Sequence, residues 1–131
     1  MSLPHLPFDP SCCLIGGEWQ SSASLEKLEL KNPSDGNLLT EIASGNQDDI
    51  HAAIANAKYT FDQCWSTTPA AERGRILSNL GRLILENIDL LSTLEALDVG
   101  KPFTQAEADV KALARYMEFY GGAADKVHGE T

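Results

Sequence analysis

The sequence predicts an α/β chain in which a short N-terminal β-meander, over residues 14–43, precedes three main α-helices starting near residues 47, 69 and 104. Three observations carry this. Turn chemistry is dense in the first third of the chain, the apolar period changes from two to 3.6 at Asn46, and caps and breakers then recur at helical intervals. At 131 residues, with 43% apolar and 22% charged side chains, the chain has the composition of a globular domain and the length to bury a core.

Residues 1–13 read as a flexible N-terminal tail, since Pro4, Pro7 and Pro10 interrupt them. Leu14-Ile15-Gly16-Gly17-Glu18-Trp19 reads as a short strand that opens the meander, and the polar turn Ser21-Ser22-Ala23-Ser24 follows. Leu28 and Leu30 alternate with Glu29 and Lys31; Asn32-Pro33-Ser34-Asp35-Gly36-Asn37 supplies a tight turn, and Leu38 to Ile42 resumes extended structure. Asn46 is placed to cap the first helix, whose apolar face runs through Ile50, Ala53, Ile54, Ala57, Phe61 and Trp65. Thr68 is the candidate N-cap of the second helix, with Pro69 at its first position. Its stripe runs through Ile76, Leu77, Leu80, Leu83, Ile84, Ile88, Leu91 and Leu94 to Gly100 and Pro102, with a kink or restart at Asn87-Ile88-Asp89. Thr104-Gln105-Ala106-Glu107 reads as a capping box opening the third helix, whose face holds Val110, Leu113, Ala114, Met117 and Tyr120. At Gly121-Gly122 either that helix ends or close packing requires the missing side chains.

A net charge of −9 argues against nucleic acid and anionic membranes as partners, because neutralising phosphates takes clustered Lys and Arg. No basic, apolar leader opens the chain and no apolar run is long enough to span a bilayer, so the expected location is cytoplasmic. Cys12, Cys13 and Cys64 show no C-x-x-C spacing and read as reduced thiols. None has a sequence neighbour that would activate it as a nucleophile. Gly100-Lys101 is no phosphate loop, since Glu95 stands at the leading glycine position and Pro102 at the hydroxyl position. G-x-G-x-x-G and H-E-x-x-H are absent, and His5, His51 and His128 lie far apart.

Several segments acquire meaning together. Ile15-Gly16-Gly17-Glu18-Trp19, Lys31-Asn32-Pro33-Ser34-Asp35-Gly36, Trp65, Arg73-Gly74-Arg75, Glu95, Asp98, Gly100-Lys101-Pro102 and the run from Gly122 to Thr131 follow one another in the order and spacing of a known pattern. After Leu14 the chain resembles the N-terminal portion of the NAD(P)-dependent aldehyde dehydrogenase superfamily. Two departures, Glu118 where many members have a basic residue and Leu30-Lys31 in place of a smaller β-type pair, leave the subfamily and substrate open.

The resemblance implies the α/β aldehyde dehydrogenase fold: a dinucleotide-binding domain, a catalytic domain and a small oligomerisation hairpin. Residues 14–131 would be an incomplete N-terminal part of the first. It also implies oxidation of an aldehyde to a carboxylic acid with NAD or NADP, through a cysteine thiohemiacetal, hydride transfer and hydrolysis of a thioester with a glutamate base. An asparagine and a backbone N–H would stabilise the oxyanion. All those groups fall in later sequence in the family pattern. No catalytic or cofactor-binding residue is therefore assigned, the chain alone is expected to be inactive, and the cofactor is expected to bind the complete enzyme, a homodimer or homotetramer.

Two residue sets carry over. In some members a monovalent cation is held by groups matching the Leu30 and Lys31 carbonyls and the Asp98 carboxylate, hard oxygen ligands that suit such an ion; the competing account has Asp98 hydrogen-bonding near a helix end. Ala108, Ala112 and Tyr116 match part of the substrate entrance, with helical core packing as the alternative. The rival to an enzyme portion is a stand-alone helical binding or interaction protein derived from the family. Three long apolar faces with only a small meander to cover them favour the enzyme portion. They predict that Ile54, Phe61, Leu80, Leu83, Leu91, Leu113 and Met117 are left for the remainder of the subunit to cover.

Overall fold

The computed structural model describes residues 3–126 and divides the chain into two units, Met1–Ser66 and Thr67–Thr131. Val127, His128, Gly129, Glu130 and Thr131, which contribute to the family resemblance, lie outside the described residues.

The first unit begins with an antiparallel hairpin of β1 (Cys12–Ile15) and β2 (Glu18–Ser21), in which Cys12 faces Ser21 and Ile15 faces Glu18. The single strand expected over residues 14–19 is thus two strands and a turn: Gly16 and Gly17 between them have φ of 66° and 84°, the pair of left-handed conformations that a two-residue hairpin turn demands and glycine adopts at little cost. The boundary expected after residue 13 falls inside β1. The residues before it are tied to the hairpin, for Phe8 stacks on Trp19 with ring centroids 4.6 Å apart and planes 3° from parallel. The Pro10 carbonyl also accepts the Ala43 N–H at 3.1 Å.

A second hairpin pairs β3 (Lys27–Lys31) with β4 (Leu38–Ala43). The two hairpins form separate ladders, so the expected meander is interrupted between β2 and β3. The interruption is made by a serine-rich loop. Ser22 is buried, and its hydroxyl lies 2.8 Å from both the Ser44 carbonyl oxygen and Asp49 Oδ2, while Leu25 turns the chain at a left-handed φ of 59°. These contacts give the loop a partner other than a neighbouring strand.

Helix α1 (Gln47–Gln63) starts as its sequence predicts. Asn46 Oδ1 accepts the N–H groups of Asp48 and Asp49 at 2.9 and 3.1 Å, and Asp49 Oδ2 accepts the Asn46 N–H at 2.9 Å, a reciprocal capping box. No residue of α1 is buried; Ile50, Ile54 and Phe61 stand exposed along one side.

The second unit contains α2 (Ala70–Glu86), α3 (Ile88–Val99) and α4 (Phe103–Ala123). The long second helix expected from residue 69 is thus two helices, divided at Asn87. Asn87 departs from helical geometry at φ −111° and ψ 23°, and its Nδ2 donates to the Leu83 carbonyl at 2.8 Å, so the amide side chain closes α2 as the backbone turns. Two expected caps are corrected. The N-cap of α2 is Pro69, at φ −56° and ψ 143°, rather than Thr68, and α4 is preceded by Pro102, at φ −58° and ψ 139°, so Thr104 lies within the first turn and makes no capping box. In both places the ring fixes φ while ψ stays extended, and the proline carbonyl accepts the N–H groups of the third and fourth helical residues, Glu72 and Arg73 for Pro69, Gln105 and Ala106 for Pro102.

The core of this unit gathers Ile84, Val110 and Ala114, with Ile88, Leu91 and Met117 packed against it. Leu91 and Met117 are therefore partly buried against the core rather than left exposed as expected, whereas Leu80, Leu83 and Leu113 are exposed. Small residues make the α2–α4 contact. A Cβ on Gly74 would lie 2.4 Å from the Gly121 carbonyl oxygen, one on Gly81 3.0 Å from the Ala114 carbonyl oxygen, and one on Gly121 2.6 Å from Ser78 Oγ. Gly121 accordingly lies inside α4, where the helices approach too closely for a side chain.

Candidate functional site

The third expected helix, α4, has two differently committed sides. Ala106, Val110, Ala114 and Gly121 recur at helical spacing on the side turned to the core. Ala108, Ala112 and Tyr116 stand exposed, so core packing within this unit does not hold them. Ala112 and Tyr116 line a groove of about 430 Å³ with Arg115, Phe119 and Tyr120; Ala108 lies outside its lining. The Phe119 and Tyr120 rings meet edge to face, centroids 5.2 Å apart. Arg115 and Phe119 were not singled out by sequence, and Tyr120 was placed on the helix's apolar face rather than in a site. Their spacing of three, seven and eight from Ala112 was the signal available.

The turn before α4 sets where that helix begins. Gly100 ends α3 in a left-handed conformation at φ 74°, and its N–H donates to the Ala96 carbonyl at 3.1 Å. Lys101 then reaches both helices: its ammonium donates to Glu95 Oε1 on α3 and to Asp109 Oδ2 on α4, the latter at 2.6 Å. These hydrogen bonds, Asp109 first and Glu95 second, hold the Lys101 pKa above its ordinary value. Gly100-Lys101-Pro102 acts here as a fastening between helices.

The residues assigned to a cation are distributed between the units. Leu30 and Lys31 belong to β3, where the register slips: Leu30 faces Thr40 and Lys31 faces Leu38, leaving Leu39 as the extra residue of a bulge. Asp98 occupies the last turn of α3, exposed, its carboxylate with neither a hydrogen bond nor an ion pair among the described residues. No cluster of three or more His, Cys, Asp or Glu suited to a metal occurs among the described residues. No described helix is long and apolar enough to cross a membrane.

The model of the aldehyde dehydrogenase family matches residues 19–131. The chain belongs to that family. It is 38% identical to aldehyde dehydrogenase [NAD(P)+] 2 of Saccharomyces cerevisiae, over 93% of this chain and 24% of that protein. It is 35% identical to aldehyde dehydrogenase family 2 member C4 of Arabidopsis thaliana, over 100% of this chain and 26% of that one. Among solved structures, a candidate aldehyde dehydrogenase from Burkholderia cenocepacia shares 49% identity at a TM-score of 0.87, covering 89% of this chain and 25% of its own. PnpE in complex with nicotinamide adenine dinucleotide shares 34% at 0.88, covering 93% and 25%. This aldehyde dehydrogenase chain thus spans about a quarter of the length of the relatives it matches.

Proposed function

We propose that residues 14–131 are the opening part of the dinucleotide-binding domain of an aldehyde dehydrogenase that oxidises an aldehyde to a carboxylic acid with NAD or NADP. The family match over residues 19–131 carries this reading. When bound to the complete enzyme, the nicotinamide takes up hydride as water supplies the second carboxylate oxygen. The residues here do not hold that cofactor, and none is assigned a catalytic role.

The chain's own contribution is at the margins of the chemistry. Ala108, Ala112 and Tyr116 form part of the substrate entrance, a role supported by the groove that Ala112 and Tyr116 line. Asp98 and the carbonyls of Leu30 and Lys31 serve a monovalent cation in the complete subunit. Supporting this, Asp98 puts a carboxylate at the negative end of a helix dipole, a placement disfavoured without a cation. The bulge beside Leu30 and Lys31 disturbs the ladder that would otherwise occupy their backbone groups. The complete enzyme works as a cytoplasmic homodimer or homotetramer.

The test is aldehyde-dependent NADH formation. Purified 1–131 gives none above buffer, and supplying the remaining three quarters of the subunit restores it. Turnover by 1–131 itself, abolished by replacing Cys12, Cys13 or Cys64, would overturn the proposal. The complete enzyme loses activity when potassium is exchanged for choline, and Asp98→Asn removes that dependence; a variant that keeps it removes Asp98 from the cation's ligands.

A further inference from the structure

We draw no further inference here: the strongest candidate, the exposed apolar patch that Phe8, Leu14 and Trp19 make on one face of the β1–β2 hairpin, is an unpartnered face, and nothing in the structure shows what covers it.

Discussion

At the scale of single residues, two neighbouring glycines do opposite work. Gly121 meets the backbone of α2, so Gly121→Ala forces the helices apart, and so does Gly74→Ala, whose new methyl would lie 2.4 Å from a carbonyl oxygen. Each is expected to destabilise by about 1–3 kcal/mol, the usual range for overpacking, even after alanine's gain in helix propensity. Gly122 has nothing within 4 Å of its would-be Cβ, and Gly122→Ala is expected to stabilise by up to about 1 kcal/mol. Denaturant midpoints and amide exchange in α2 and α4 check all three, and a neutral Gly121→Ala would refute the close contact. In the first unit Asp49 accepts hydrogen bonds from the Asn46 and Ala23 N–H groups and the Ser22 hydroxyl, which hold its carboxyl below the ordinary 3.8. The stability it contributes is present above pH 3.8 and lost as pH falls through the lower folded value. Asp49→Asn should flatten that acid limb, and Asn46→Ala should cost about 1 kcal/mol at neutral pH through loss of the cap.

At the scale of elements, the fastening of α3 to α4 by Lys101 is the feature whose loss should propagate. With its pKa raised by Asp109 and Glu95, the ammonium contributes stability that is complete below its ordinary 10.5 and lost as pH rises through the higher folded value. Lys101→Met keeps the aliphatic stem and removes both bonds. The variant is expected to unfold at lower temperature than the parent at pH 7, with the difference closing above pH 10.5. Amide exchange should quicken in the turn after Val99 and the first turn of α4. A difference unchanged at high pH would assign Lys101 to packing instead. The restart that the sequence offered at Asn87-Ile88-Asp89 is the division between α2 and α3, where the Asn87 side-chain amide joins its own backbone N–H on the Leu83 carbonyl.

At the scale of the whole molecule, the exposed apolar surface is the dominant fact. Ile50, Ile54, Phe61, Leu80, Leu83 and Leu113 all stand exposed, and each large aliphatic side chain left in water forgoes roughly 1.5–3 kcal/mol of burial. A few such residues equal the typical net stability of a small domain. The chain alone is therefore expected to self-associate or bind a hydrophobic dye, and co-expression with the rest of the subunit to yield a soluble complex that does neither. Light scattering and dye fluorescence read this directly. A strictly monomeric 1–131 that unfolds cooperatively without binding dye would favour the stand-alone interaction protein.

Much of this was legible in the sequence, and the division has a physical basis. Asn46 with Asp49, Gly100 and the turn at Asn32 to Gly36 declare themselves because their chemistry is local: a side chain bonds a backbone a few residues away, or a φ only glycine tolerates is needed at one position. The order and spacing of those signals sufficed for the family. The inner face of α2 was legible only at Ile84, because Gly74 and Gly81 carry no hydrophobic side chain for a periodicity to register, while Ile76 and Leu80, which do, turn outward. For the same reason sequence found Ala112 and Tyr116 only by resemblance and missed Arg115: a groove is defined by which side of α4 the glycine contacts and the core take up. Local bonding fixed the turns and caps. Only tertiary packing, set by the distance at which two backbones could meet, decided which side of each helix was left for function.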